Sequence, residues 1–302
     1  MEGKHANRFI LFLSLVIAIL AISSSAILVK EAKAPSSIIA TYRLMFTILI
    51  LFFPTLIYHR RELFAVQKRE LVYSIFSGLF LALHFITWFE SLNYTSIASS
   101  VVLVTMQPIF AMMGGVIFFK EKYHILSILG SLLAVIGGMI IGWGDFRIGG
   151  MALWGDILAL LGALLATVYW LLGQSVRRRM SLLPYAMLVY GSSTILLILY
   201  DLIFSYPLFA YSKRNWIFFI LIAIIPNILG HTIFNWSMRY ISATTVSMLI
   251  LGEPIGSTIL AYIIYKEHLN LTQWVGSFFI FLGIYIYIRY QTNTKLENES
   301  FS

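Results

Sequence analysis

The sequence has no cysteine and little charge. Of its 302 residues only 11% are charged, and 60% are apolar. The missing cysteine excludes a disulfide framework and a thiolate metal site. The shortage of charge excludes an ordinary soluble domain, which carries roughly 25% charged residues. Several chemical signatures are missing too. There is no phosphate-binding loop ending in Gly-Lys-Ser/Thr, no HExxH helix, no aspartate-rich diphosphate motif and no GxSxG elbow. ATP hydrolysis, zinc hydrolysis and serine-nucleophile chemistry therefore have no carrier, and no cofactor is expected. The net charge of +8 does not point to nucleic acid, because the basic residues sit in short loops between apolar runs. That distribution suits anionic lipid headgroups.

What the chain has in quantity is long apolar runs. Ten stand out, near residues 9–29, 36–57, 71–91, 98–118, 125–143, 154–174, 183–204, 216–236, 245–265 and 271–288. Runs of about 20 apolar residues span a bilayer as helices. Lipid offers no partner for a free backbone amide, so helices are the form these runs must take. The expected class is an all-α integral membrane protein. With the N-terminus inside, inner segments hold fourteen Lys and Arg, outer loops six, and Arg43 within a span completes the 21. The bias predicts both ends in the cytoplasm of a cell carrying the protein in its inner, or plasma, membrane. The start, Met1-Glu2-Gly3-Lys4-His5, resembles a signal-peptide n-region, but no small-residue cleavage motif follows its apolar run, so that run is expected to stay as the first span.

The chain also repeats itself. At an ungapped offset of 146 residues, Tyr94 falls on Tyr240, Ser96 on Ser242, Gln107-Pro108-Ile109 on Glu253-Pro254-Ile255, and Lys120-Glu121 on Lys266-Glu267. Gly130 meets Gly276 and Gly137 meets Gly283. Such a repeat is the first thing to establish in a sequence. Two units follow, 1–145 and 150–290, each of five spans, then a polar, disordered cytoplasmic tail at 291–302. Five is odd, so the second unit is inverted relative to the first. In inverted-repeat membrane proteins, corresponding interrupted helices of the two halves mark a transporter's substrate site.

Between Asn93 and Trp143 the chain resembles an EamA domain of the drug/metabolite transporter superfamily. The resemblance rests on Asn93-Tyr94-Thr95, Pro108, Lys120-Glu121 and the glycine-spaced span after them, on Glu253-Pro254-Ile255 in the second copy, and on Arg43 after Pro35. One departure is visible: family members often carry Trp-Gly in the first span, where this chain has Ser23-Ser24-Ser25. The resemblance implies ten helices as two inverted five-helix repeats around a central cavity, moving small metabolites, often outward.

Polar groups at membrane depth are costly and usually face a cavity or the bundle interior. They nominate the site. Gln107 and Glu253 each precede a proline, Pro108 and Pro254, near the middle of a span. The missing amide hydrogen leaves the carbonyl of Val104 or Ile250 without its helical partner, giving a hinge and a free acceptor. Glu253 has three readings: an ion pair with Arg43, the only Lys or Arg placed within a span; a proton carrier; or the counter-ion of a substrate ammonium. Arg43 leans towards a structural role in that pair. Asn227, His231 and Asn235 follow each other at i, i+4, i+8, a polar stripe on one helix face. His84 and Trp88 share a face of the third span and suit an aromatic or cationic metabolite; a histidine bonded to a neighbouring helix is the plainer alternative. Trp170 joins them from the sixth span, with Tyr169 and Gln174. Gly130, Ala134 and Gly138, with Gly276 and Gly283, make small faces for close helix packing between the halves or between two protomers, so a homodimer stays open.

The function expected is a permease for small metabolites, amino acids or related compounds, moving them outward by alternating access. Its partners are a small-molecule substrate and membrane lipid. A flippase for a lipid-linked precursor is the alternative, and an intramembrane enzyme a more distant one.

Overall fold

A computed structural model of the chain describes residues 7–143, 150–266 and 271–300. All its regular elements are helical. They are α1 (Arg8–Ser23), α2 (Ser25–Glu31), α3 (Ser36–Phe64), α4 (Lys68–Ser91), α5 (Ile97–Val104), α6 (Gln107–Phe119), α7 (Ile125–Gly142), α8 (Gly150–Arg177) and α9 (Leu182–Ile203). Then come α10 (Lys213–Ile222), a π-helical segment Ala223–Thr232, α11 (Ile233–Ser237), α12 (Ala243–Ile250), α13 (Glu253–Tyr265) and α14 (Leu271–Ser300). Joined across their breaks, these make ten helices long and apolar enough to cross a membrane. Long apolar side chains such as Phe12, Phe53, Ile117 and Phe278 stay exposed on the outside, as a lipid-facing surface requires. The second helix extends to Phe64, beyond the apolar run that marked it, but it kinks at His59 (φ −132°, ψ 18°), just before Arg60 and Arg61. The last helix, α14, is assigned as far as Ser300, and neither proline nor glycine follows Gly283.

The duplication is written into the backbone. α5 and α12 begin and end 146 residues apart, and so do α6 and α13. Ser96 caps α5, its side chain accepting the Ser99 amide at 3.0 Å. Ser242 caps α12 in the same way with Thr245, at 3.2 Å. Both spans break just ahead of their prolines, which then sit in the first turn of the next helix, where no amide hydrogen is needed. Both second halves end on a lysine in the left-handed region, Lys120 at φ 53° and Lys266 at φ 57°. That conformation costs an L-residue roughly 1–2 kcal/mol. At Lys120 it closes the helix by bonding the next amide, Glu121, to the Gly115 carbonyl at 3.0 Å.

The two repeats pack reciprocally. α3 lies on α9, their counterparts in the two halves. The α4–α8 contact is mirrored by that of the π-helical segment with α1. α7 and α14 meet so closely that a Cβ on Gly276 would stand 2.5 Å from the Gly137 carbonyl, and one on Gly130 would stand 2.8 Å from that of Gly283. Gly130 therefore faces Gly283, while Gly137 faces Gly276. The pairing is antiparallel and self-complementary, as two inverted copies about a two-fold axis must be. These glycine faces are used within the chain, between its halves.

Candidate functional site

The broken spans and the π-helical segment bring six of the eight nominated residues to one place. His84 and Trp88 from α4, Gln107 from the start of α6, Trp170 from α8, His231 and Glu253 line one buried cavity with Ile22, Ser25, Val104, Ala166, Phe234 and Ile250. The space among them is about 20 Å³, enough for roughly one water. Its walls are aromatic. The His84 ring stacks on Trp88 with centroids 5.7 Å apart, and His231 stacks on Trp170 at 5.4 Å. The two histidines are 6.4 Å apart across the gap.

Some of the polar groups are satisfied and some are not. Trp170 Nε1 donates to Gln107 Oε1 at 3.0 Å. Gln107 Nε2 donates to the Val104 carbonyl, also at 3.0 Å. The acceptor expected to be free in the first repeat is thus taken by the side chain three residues on. His84 Nδ1 bonds the Gly162 carbonyl at 2.9 Å, so the histidine is both anchored to α8 and part of the cavity wall. By contrast, Trp88 Nε1, His231 Nδ1 and Glu253 Oε1 are buried without a partner among the described residues, and all three belong to residues of this cavity.

Arg43 is fully buried one layer behind. The expected ion pair with Glu253 is not what holds it, for no such pair is formed within 4 Å among the described residues. Its Nε donates to Asn227 Oδ1 at 2.9 Å and its Nη1 to Ser25 Oγ at 3.0 Å. Its guanidinium lies 4.2 Å from the centre of the Phe85 ring. Asn227 in turn donates to Thr47 Oγ1 at 3.0 Å. The polar stripe therefore divides. Asn227 serves Arg43, His231 faces the cavity, and Asn235 donates to the hydroxyls of Tyr169 at 2.6 Å and Tyr190 at 3.0 Å. The cause is Pro226, whose missing amide goes with i→i+5 bonding through Ala223–Thr232. The wider turn takes i, i+4 neighbours off a common line.

Other buried polar residues were not nominated. Arg177, counted with the loop charges, is fully buried and donates to the Asn235 carbonyl at 2.9 Å. Asp201 of α9 accepts from Thr41 of α3 at 2.7 Å, and Asp156 of α8, half-buried, accepts from Thr95 and Ser99, both at 2.8 Å. An acid inside an apolar run was the available signal for both. One turn beyond Trp170, at the end of the molecule rich in Lys and Arg, Gln174 donates to Glu121 at 3.1 Å and accepts the Ala243 amide at 2.5 Å. Tyr123 donates to Glu121 at 2.6 Å and lies 2.9 Å from Thr244 Oγ1. Burial, then the bond to Glu121, push the Tyr123 hydroxyl well above the usual tyrosine range, so it stays a donor. This network ties the loop after α6 to α8 and to the start of α12, across the two repeats.

A sequence profile of the EamA-like transporter family matches residues 9–143 and again 153–289. The chain belongs to the EamA-like transporter family. Its two copies of the domain correspond to the two five-span halves. Among curated proteins it is similar to the uncharacterized transporter YxxF of Bacillus subtilis strain 168, 24% identical over 72% of this chain and 70% of that one. An uncharacterized transporter of Archaeoglobus fulgidus is 22% identical over 66% of this chain and 70% of its own. A solved crystal structure superposes with a TM-score of 0.77 over 93% of this chain and 98% of that one, at 16% identity, which is a likeness of fold. The EamA-like chain is accordingly a multi-pass membrane transporter.

Proposed function

We propose that the chain carries a small polar metabolite, an amino acid or a related compound, across the plasma membrane by alternating access, the two repeats rocking about the cavity. The supporting observation is the set of three unpartnered polar atoms, Trp88 Nε1, His231 Nδ1 and Glu253 Oε1, around one aromatic space. A buried polar atom without a partner costs about 1–3 kcal/mol. A ligand that offers a donor to Glu253 and an acceptor to the Trp88 indole removes that cost. Its ammonium group also finds the ring faces of Trp88 and Trp170, to which cations are attracted. The cavity holds roughly one water, so the walls have to part to admit substrate. The breaks ahead of Pro108 and Pro254 are the hinges for that parting. We take the direction as outward, with both termini in the cytoplasm, in keeping with the loop charge bias.

Proteoliposomes loaded with mixed amino acids and small metabolites test this, with internal content followed by mass spectrometry and a pH gradient present or absent. Selective loss of one class, abolished by His84→Ala with Glu253→Gln, is the expected result. Equal retention of every soluble compound contradicts it. A gradient dependence that vanishes in Glu253→Gln identifies that carboxyl as the proton carrier. Flipping of a lipid-linked precursor needs a passage from the bilayer into the cavity. On one side α8 separates the cavity, lined by its Ala166 and Trp170, from a side groove between α4, α6 and α8, lined by its Val168 and Leu172.

A further inference from the structure

That side groove has chemistry of its own, unrelated to the cavity. It is about 550 Å³ and lies between α4, α6 and α8 at the end of the molecule rich in Lys and Arg. Its floor is apolar, with Phe118, Val168, Leu171 and Leu172. In a bilayer there is no water to fill such a floor, so an acyl chain fills it. The mouth is different. Arg69, Arg178 and Arg179 line it with a single acid, Glu70. The Arg69 guanidinium sits 5.4 Å from the centre of the Tyr73 ring, and that of Arg178 sits 5.6 Å from that of Phe119, which keeps both charges at the groove. Arg179 reaches Glu70 only at 3.7 Å. Glu70 is buried, and its Oε2 has no hydrogen-bond partner among the described residues.

We propose that this groove is a binding site for an anionic glycerophospholipid with hydroxyl groups in its head, phosphatidylglycerol by class, whose phosphate sits among Arg69, Arg178 and Arg179 while a glycerol hydroxyl donates to Glu70. Three arginines against one carboxylate leave an excess of two positive charges, which favours a net-negative headgroup over a neutral one. The unpartnered Glu70 oxygen favours a head that can donate. Phosphatidylethanolamine can donate but is neutral; phosphatidylcholine is neutral and has no donor. The order of affinity follows: phosphatidylglycerol, then phosphatidylethanolamine, then phosphatidylcholine. Because the lipid touches α4, α6 and α8, it bridges both repeats beside the first broken span.

The test uses the purified full chain in detergent, offered the three lipids with matched acyl chains. Retained lipid is read by native mass spectrometry and stability by melting temperature. Phosphatidylglycerol should be retained in preference and should raise the melting temperature most. Arg69→Gln with Arg178→Gln should weaken its binding by about fivefold per arginine, with melting in phosphatidylcholine unchanged. Leu172→Trp fills the floor and should lower retention of all three lipids. Equal retention of the three lipids by the wild type overturns the proposal, as does undiminished phosphatidylglycerol binding by the double variant. If that variant does not fold, Leu172→Trp decides: unchanged phosphatidylglycerol retention overturns the site.

Discussion

Gln107 and Glu253 occupy the same position in the two repeats, each opening the second half of a broken span beside its proline. Their surroundings are not alike. Gln107 is held by the Trp170 indole and by its own repeat's Val104 carbonyl. At the offset of 146 residues, Trp170 corresponds to Ser24. Ser24 donates instead to the Ala21 carbonyl at 2.8 Å. The larger partner is thus missing in the first span, and the Glu253 carboxyl keeps an oxygen unpaired. The same divergence appears at the two ends. Tyr123, Thr244 and Gln174, which fasten one end with hydrogen bonds, correspond to Leu269, Ala98 and Leu28. The two copies share a backbone frame, while side-chain chemistry has been left open at one of two symmetric places. The open place is where the proposed substrate would bind.

The comparison can be broken in several ways. The largest effect is expected from Glu253→Gln, which gives the second repeat the side chain of the first. Transport in proteoliposomes should fall about 10- to 100-fold, the value of a hydrogen bond to a charged group, whereas protein yield and melting should hardly change. Next, Gly276→Ala pushes a Cβ onto the Gly137 carbonyl at 2.5 Å. It should destabilise by about 1–3 kcal/mol, as overpacking does. Gly191→Ala, where a Cβ meets nothing within 4 Å, should instead be neutral or gain about 0.5–1 kcal/mol. Thermal unfolding in detergent separates the two. The tryptophans sharpen the contrast further. Trp170→Phe leaves Gln107 Oε1 without its donor and should cost about 1–2 kcal/mol of stability. Trp88→Phe removes an indole nitrogen that has no partner among the described residues, so it should leave melting alone and weaken transport. The smallest effect belongs to Tyr123→Phe, one hydrogen bond in a shared network, worth about 0.5–1.5 kcal/mol.

The sequence made the frame readable because a membrane leaves a chain few choices. Ten apolar runs become ten helices, and an ungapped repeat of odd span number becomes an inverted pair. The pairs Ser96 and Ser242, Pro108 and Pro254, and Gly137 and Gly283 matched at the same offset in sequence, and the caps and breaks they mark recur in the backbone. Polarity within spans also led to six of the twelve residues that line the cavity. It did not separate residues that face the cavity from residues that support them. Asn227 and Asn235 looked equivalent to His231, and only the π-helical turn around Pro226 divides them. Arg43 looked like the partner of Glu253, yet three neutral acceptors from two segments, Ser25 of α2 and Asn227 and the Pro226 carbonyl of the π-helical segment, take its donors. Those acceptors lie 18, 184 and 183 residues away in the chain, a separation at which no spacing rule works. Arg177 was hidden in a run of three arginines, of which the first turns inward.

The absence of cysteine makes one measurement especially clean. Ala166, on the cavity wall, is replaced by cysteine as the only thiol in the molecule, and membrane-impermeant thiol reagents are applied from either side of oriented vesicles. If the cavity is the site about which the repeats rock, labelling proceeds from both sides, one at a time, and the amino-acid mixture slows it. Labelling from one side only, or at a rate the mixture does not change, contradicts alternating access at this cavity.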